Sequence, residues 1–299
     1  MSDLDISPAR SRAAATGFVL LAVTSVAWGL SWPVTKFVIS EWPPLPARGF
    51  TGLAGSLALF AYARLRRDDL RVPRAQWMRV LVSAFFNVTL WMVVMGIALL
   101  WLPAGETSVI AFTMPVWTAL LAWPLLGERL TSLRVLALIM AFGGIAALLG
   151  ANGFAASLAK LPGVLLALSG AIGFALGTIF LKRFPIALPG ATSAAWQIGL
   201  GCIPVTLIGL AFEVPRLDAL SPLGWAALIY LTLIQFCVAY LCWFAALERL
   251  PASVAAIGTL AVPVIGVVAS AIVLHEPLGW GQIAALIFTL AGVVLATRS

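Results

Sequence analysis

Ten stretches of about 20 apolar residues, joined by short polar connections, leave this 299-residue chain few folds to choose from. They run over Thr16–Val38, Leu45–Ala63, Met78–Leu100, Ala104–Pro124, Thr131–Gly150, Pro162–Leu181, Gly190–Phe212, Pro222–Ala246, Pro251–Leu274 and Leu278–Thr297. Each is long enough to cross about 30 Å of hydrocarbon as a helix. No water is available there to satisfy backbone N–H and C=O groups, so only helices and closed barrels span a membrane. Barrel strands need only about half this length. The expectation is an all-α integral membrane protein with ten transmembrane helices. Composition agrees: 62% of residues are hydrophobic and 10% charged, against about 25% charged in soluble domains.

The net charge of +7 follows from where the cations fall. With the N-terminus inside, the inner connections and ends collect fourteen of the eighteen Lys and Arg residues: Arg10, Arg12, Arg64, Arg66, Arg67, Arg71, Arg74, Arg79, Arg129, Arg134, Lys182, Arg183, Arg249 and Arg298. The outer side holds Lys36, Arg48, Lys160 and Arg216. This asymmetry places both termini in the cytoplasm, as in a multi-pass protein of a bacterial-type inner (plasma) membrane. The Arg64–Arg79 cluster reads as a topology anchor that touches anionic lipid, not as a nucleic-acid surface. Residues 1–15 lack a cleavable signal pattern and read as a cytoplasmic tail. Cys202, Cys237 and Cys242 lie within apolar segments without metal-ligand spacing, and read as small buried hydrophobes.

A second constraint is an internal repeat. Leu102–Leu149 laid on Leu250–Thr297, 148 residues on, gives twelve identities in 48 positions without a gap. Leu and Ala matches weigh little in so apolar a chain. The informative ones are Pro103/Pro251, Pro115/Pro263, Glu128/Glu276 and Gly144/Gly292. A repeat at half the chain length marks a duplicated unit. The first unit is taken as residues 16–150 and the second as 162–299, with 151–161 as an extracytoplasmic linker. Each unit carries five helices, an odd number, so the second enters the membrane upside down. Inverted repeats of this kind build many secondary transporters, whose site lies near the midplane where the halves meet.

Trp28-Gly29 followed at the right distance by Lys36 resembles the first-helix pattern of EamA-type proteins of the drug/metabolite transporter superfamily. Phe174 and Lys182 begin and end the corresponding run of the sixth helix. The Leu102-Pro103-Ala104, Pro115 and Gly127-Glu128-Arg129-Leu130 series, and its copy at Leu250–Leu278, is similar to that family's helix 4–5 and 9–10 junctions. The resemblance covers essentially the whole chain. Within the family the abundance of Trp, twelve residues, is most similar to the YddG-type exporters of aromatic amino acids and methionine. It implies a ten-helix transporter with a central cavity lined by helices 1, 3, 4, 6, 8 and 9.

The residues can be weighed against that expectation. Trp42, Trp77, Trp101, Trp123, Trp225 and Trp280 sit at segment ends and read as an interfacial aromatic belt. Trp28, Trp32, Trp91, Trp117, Trp196 and Trp243 lie deeper. There they pack on a neighbouring helix or offer flat apolar surface and an indole N–H to cargo. Of the deep polar residues, Thr35, Thr113, Asn87, Gln235 and Tyr240 either hold helices together or contact substrate. Asn87 and Gln235 are 148 apart and therefore occupy matched positions. Met95 lies near Trp91 as an adaptable apolar surface. The candidate substrate-binding set is Trp28, Trp32, Thr35, Asn87, Trp91, Met95, Thr113, Trp117, Gln235, Tyr240 and Trp243. Pro33, Pro115 and Pro263 interrupt helices and are candidate hinges.

Charge is scarce within the spans. Glu106, one turn into helix 4, reads as a charge favoured by the helix N-terminus, and Lys36 as a snorkelling cation. No span has a carboxylate at its centre. No zinc-protease motif, phosphate loop or paired mid-membrane carboxylates are present, so neither an enzyme nor an ATP-driven pump is expected, and no cofactor or metal. The function expected is secondary export of small amino acids or metabolites by alternating access, and the resemblance implies aromatic amino acids and methionine as cargo. The alternative is proton-coupled export of cationic drugs or other metabolites. The partners expected are a small-molecule substrate and membrane lipid, with a monomer sufficient.

Overall fold

The computed structural model describes residues 8–129, 131–150, 154–250, 254 and 258–297. These form ten helical spans: α1 (Pro8–Glu41), α2 (Pro44–Leu65), α3 (Arg74–Trp101), α4 (Ala104–Leu126), α5 (Ser132–Gly150), α6 (Phe154–Arg183), α7 (Gly190–Phe212), α8 (Pro222–Leu247), α9 (Ala261–Val273) and α10 (Trp280–Thr297). There is no strand among the described residues. Eight of the ten are individually long and apolar enough to cross a membrane, all but α2 and α9. Helix α1 reaches back to Pro8, into the stretch read as a tail, and α6 starts at Phe154, within the stretch read as a linker. Ten crossings return the chain to the side it started from. That side is called here the terminal face, and the other the far face.

Helix contacts repeat across a pseudo-two-fold relation. Helix α1 packs on α8 and α9, and α6 correspondingly packs on α3 and α4. Helices α2 and α7 pack on each other, as do α5 and α10. The residues that match in sequence also meet in space. A Cβ on Gly144 would lie 3.1 Å from the Ala285 carbonyl oxygen, and one on Gly292 would lie 2.9 Å from that of Ala137. Both pairs are 148 apart, so each half presents the same small-residue seam to the other. Such reciprocity is what a two-fold interface requires.

Glycine sets the approach of the other pairs. Gly49 and Gly52 of α2 lie on Thr206 and Cys202 of α7, and Gly170, Gly173 and Gly177 of α6 lie on Met95, Leu90 and Asn87 of α3. Lipid tails supply no hydrophobic drive between helices, so close backbone approach and its dispersion contacts hold the bundle together.

Four spans are irregular, in matched pairs. Helix α3 widens into a π-turn over Phe85–Leu90, and α8 does the same over Leu231–Val238. Helix α4 breaks at Phe112 and Thr113, two residues before Pro115, and the helix leading into α9 breaks at Thr259 and Leu260, just before Pro263. Proline lacks an N–H, and its ring clashes with the carbonyl four residues back. The amides of Val116 and Val262 accordingly turn to the i−3 carbonyls of Thr113 (2.9 Å) and Thr259 (3.0 Å). Pro33, by contrast, is taken up within an unbroken α1.

The aromatic belt is smaller than the sequence suggested. Trp101, Trp123, Trp225 and Trp280 are exposed. Trp42 is buried, however, with its Nε1 donating to the Arg216 carbonyl at 3.0 Å. It belongs to the packing of α1 on the α7–α8 connection, because an indole N–H inside apolar surroundings needs an acceptor and finds one there.

Candidate functional site

Helix α1 carries Trp28, Trp32 and Thr35 at i, i+4 and i+7, which places them on one face. Trp28 meets α8: its ring stands edge-on to Tyr240 at 5.4 Å and lies 5.8 Å from Trp243, and its Nε1 donates to the Gln235 carbonyl at 3.3 Å. Trp32 meets α3, edge-on to Trp91 at 6.4 Å, and Trp91 in turn lies 5.3 Å from Phe174 of α6. Tyr240 continues to Phe236, stacked at 6.4 Å, and to Phe244. Rings from α1, α3, α6 and α8 thus form an aromatic group of two contact clusters, Trp28 with the rings of α8 and Trp32 with those of α3 and α6, set side by side by the shared face of α1. Trp28, Trp91, Tyr240 and Trp243 are only half-buried within it, while Trp32 and Thr35 are buried.

The π-turns hold the polar residues of this region. Asn87 lies in the α3 turn and Gln235 in the α8 turn. A π-turn adds a residue to the helical cycle and frees carbonyls from the regular ladder, and such turns recur at functional sites. The freed Gln235 carbonyl receives the Trp28 indole. Asn87 presses on α6 where Gly177 leaves room, and its Oδ1 is buried without a hydrogen-bond partner.

Other candidates fall outside the aromatic group. Met95 has no exposed surface, and its methyl fills the space over Gly170 in the α3–α6 seam. Thr113, at the α4 break, donates to the Ile110 carbonyl at 2.6 Å and accepts from Trp117 Nε1 at 3.1 Å. The Trp117 ring lies edge-on to Phe142 of α5 at 5.7 Å, away from the other tryptophans. Phe174, Phe236 and Phe244 are in the group but not in the sequence-derived set. Phe174 alone left a signal, as the counterpart of Trp28 in the repeat.

Charged groups line the two faces. On the far face Glu106 is buried and ion-paired to Lys160 at 2.8 Å, with Gln282 Nε2 donating to it at 2.9 Å. It does not bind the N-terminal amides of α4. Glu276, from the loop after α9, does: its two carboxylate oxygens accept from Ala104 N at 2.6 Å and Gly105 N at 3.0 Å. A carboxylate from the second half therefore occupies the positive end of this helix, because Glu106 points on towards α6. Lys36 does not snorkel out; its Nζ turns inward to the carbonyls of Leu99 and Leu102. On the terminal face Glu128 binds Lys182 at 2.6 Å and Arg134 at 2.7 Å. These hydrogen bonds, Lys182 first, hold its carboxyl below the usual carboxylate range. The three residues rim a cleft of about 240 Å³ that reaches Pro115, Thr118 and Thr178.

Membrane-length helices in two reciprocally packed halves, matched helix breaks and a group of half-buried rings between them define a multi-pass membrane transporter. The sequence matches the EamA-like transporter family twice, over residues 15–150 and 161–298, and the chain belongs to that family. It is 33% identical to the uncharacterized transporter YvbV of Bacillus subtilis, over 93% of this chain and 90% of that one. It is also 25% identical to an uncharacterized transporter of Archaeoglobus fulgidus, over 94% and 98% of the two chains. Protein PecM of Dickeya dadantii is 24% identical over 90% and 88%. A solved crystal structure shares the fold at a TM-score of 0.65, with 23% identity over 96% of this chain and 97% of the other.

Proposed function

We propose that this protein is a secondary transporter that exports small amino acids or metabolites by alternating access, with aromatic amino acids and methionine as its cargo. The observation that carries this reading is the pair of aromatic clusters Trp28, Tyr240 and Trp243, and Trp32, Trp91 and Phe174, adjacent on one face of α1 and contributed by four helices of both halves. Half-buried rings offer stacking and edge contacts worth about 0.5–1.5 kcal/mol each beyond area burial. The unpartnered Asn87 amide and the π-turn carbonyls supply polar anchors for an ammonium or carboxylate. Thr35 and Gln235 extend this lining and Met95 backs it from the α3–α6 seam, while the Thr113–Trp117 pair stands apart from it at the α4 break.

The matched breaks at Pro115 and Pro263 serve as the hinges, while Pro33 lies within an unbroken α1. Both termini are cytoplasmic in an inner membrane, by the fourteen-to-four distribution of Lys and Arg. The far face is then extracytoplasmic. Glu106 is held by Lys160 and Gln282 rather than standing free, which supports facilitative over proton-coupled transport.

The test is uptake of labelled Phe, Trp, Met and Lys into liposomes holding the purified protein, with and without a proton gradient. Saturable uptake of the first three, unaffected by the gradient, is the expected result. Uptake driven by the gradient overturns the facilitative reading, and uptake of none of the four overturns the cargo.

A further inference from the structure

The loops after α4 and α9 are the same structure used in two ways. Gly127 and His275, 148 apart, are the left-handed residues that end the two helices, at φ 72° and 54°. Each is followed by a glutamate whose amide reaches six residues back: Glu128 N to the Ala122 carbonyl at 3.3 Å, Glu276 N to that of Ser270 at 3.4 Å. A left-handed residue just past the last turn is a common way to end a helix, and in both copies it presents a carboxylate at the edge of the bundle. The repeat also places a lysine at the end of each half's first helix, Lys36 on α1 and Lys182 on α6.

On the far face, both charges grip the same corner. Glu276 accepts from the first two amides of α4, and Lys36 donates to the carbonyls of Leu99, in the last turn of α3, and Leu102, just past it. Both ends of the α3–α4 connection are thereby held from outside. The holders belong to the group α1, α8 and α9, and the corner belongs to the group α3, α4 and α6. Ser108, one turn beyond the gripped amides, is wholly buried against Gly266.

On the terminal face, the matched lysine leaves the described carbonyls of the matched corner unbound. Leu247 and Leu250 correspond to Leu99 and Leu102, and Lys182 binds neither carbonyl. The counterparts of Ala104 and Gly105, residues 252 and 253, lie outside the described residues. Lys182 instead reaches Glu128 at 2.6 Å, with 65% of its side chain exposed, at the rim of the cleft.

We infer that the two glutamate–lysine couples are reciprocal latches: each closes its face by gripping the opposite group's helix corner, and opens it when its two charges pair with each other. This structure then has the far face latched and the terminal face released. Released charges do not lose all their partners, since each finds the other. That keeps the cost of opening small, where an unpaired charge at the membrane edge would be expensive. The inference rests on the alternating-access reading, and adds which residues hold each state.

The test is thiol labelling of the purified full-length protein in detergent by a membrane-impermeant maleimide. Cys202, Cys237 and Cys242 are replaced by alanine in the background. Ser108→Cys reports on the far face and Thr178→Cys on the cleft of the terminal face. The expected result is that Glu276→Ala and Lys36→Ala each raise labelling at 108, by about tenfold for loss of a charge-assisted hydrogen bond, and lower it at 178. Glu128→Ala and Lys182→Ala move both sites the other way or leave them as they are. No change with Glu276→Ala and Lys36→Ala, or the same direction in all four variants, overturns the latch. Lys36→Ala keeps the test decisive if Glu276→Ala does not fold. Labelling needs no cargo, so a failed uptake experiment leaves this outcome independent.

Discussion

Replacing Gly49 by alanine places a methyl group where helix α7 already stands. The added Cβ would lie 2.3 Å from Thr206 Oγ1 and 2.9 Å from both Thr206 Cα and N. Carbon contacts settle at about 3.5–4.0 Å, so α2 and α7 must separate by roughly 0.5–1 Å along a close-packed seam. Rotating Thr206 away does not relieve this, because two of the three contacts are backbone and its hydroxyl donates to the Cys202 carbonyl at 2.9 Å. Overpacking of this kind costs about 1–3 kcal/mol, offset by about 0.5–1 kcal/mol for replacing a helical glycine. A net loss of about 1–2 kcal/mol lowers the melting temperature by roughly 2–8 °C at the per-kcal shift of a large domain. Thermal unfolding of the detergent-purified protein, followed by its twelve tryptophans, measures it. Gly143→Ala is the control, since its Cβ would meet nothing nearer than Phe288 at 4.0 Å, and it should match or slightly exceed wild type. Equal melting of Gly49→Ala and wild type, or an equal drop in both variants, would show that glycine spacing does not set the α2–α7 distance.

Three further outcomes follow from the site and the faces. Trp91→Ala removes the ring joining Trp32 to Phe174, and should raise the half-saturation concentration for Phe uptake about tenfold; Trp117→Phe, which keeps a ring against Phe142, should leave it unchanged, and the reverse order would refute the assignment. Replacing Pro115 and Pro263 together by alanine restores the missing helical amides and should slow transport without changing half-saturation, so unchanged rates would remove the prolines as hinges. Glu128 is held below its ordinary pKa of 4.5, by Lys182 first and Arg134 second. A depressed carboxylate pKa contributes stability that is present above the unfolded value and lost as pH falls through the folded one. Wild type should therefore exceed Glu128→Gln in melting temperature at neutral pH, and the gap should close only below about pH 4.5. A gap that closes between pH 8 and 6 would contradict the ion pair.

Local features made much of this protein legible in its sequence. Apolar segments of membrane length fix an all-helical architecture, since lipid leaves the backbone no other way to satisfy itself over that distance. Gly144/Gly292 and Ala137/Ala285 marked the two-fold seam because a self-complementary contact needs the same residues in both copies. Pro115 and Pro263 marked the breaks because proline acts on its own helix. The tertiary structure decided the rest. It buried Trp42, placed Met95 in a packing seam, added Phe174 to the aromatic group, and set Glu276 rather than Glu106 on the α4 amides. The physical reason is that these helices are apolar on nearly every side, so no polar stripe marks which face turns inward. Which side chains meet then depends on how helices far apart in the chain rotate and approach, and that is fixed only by packing.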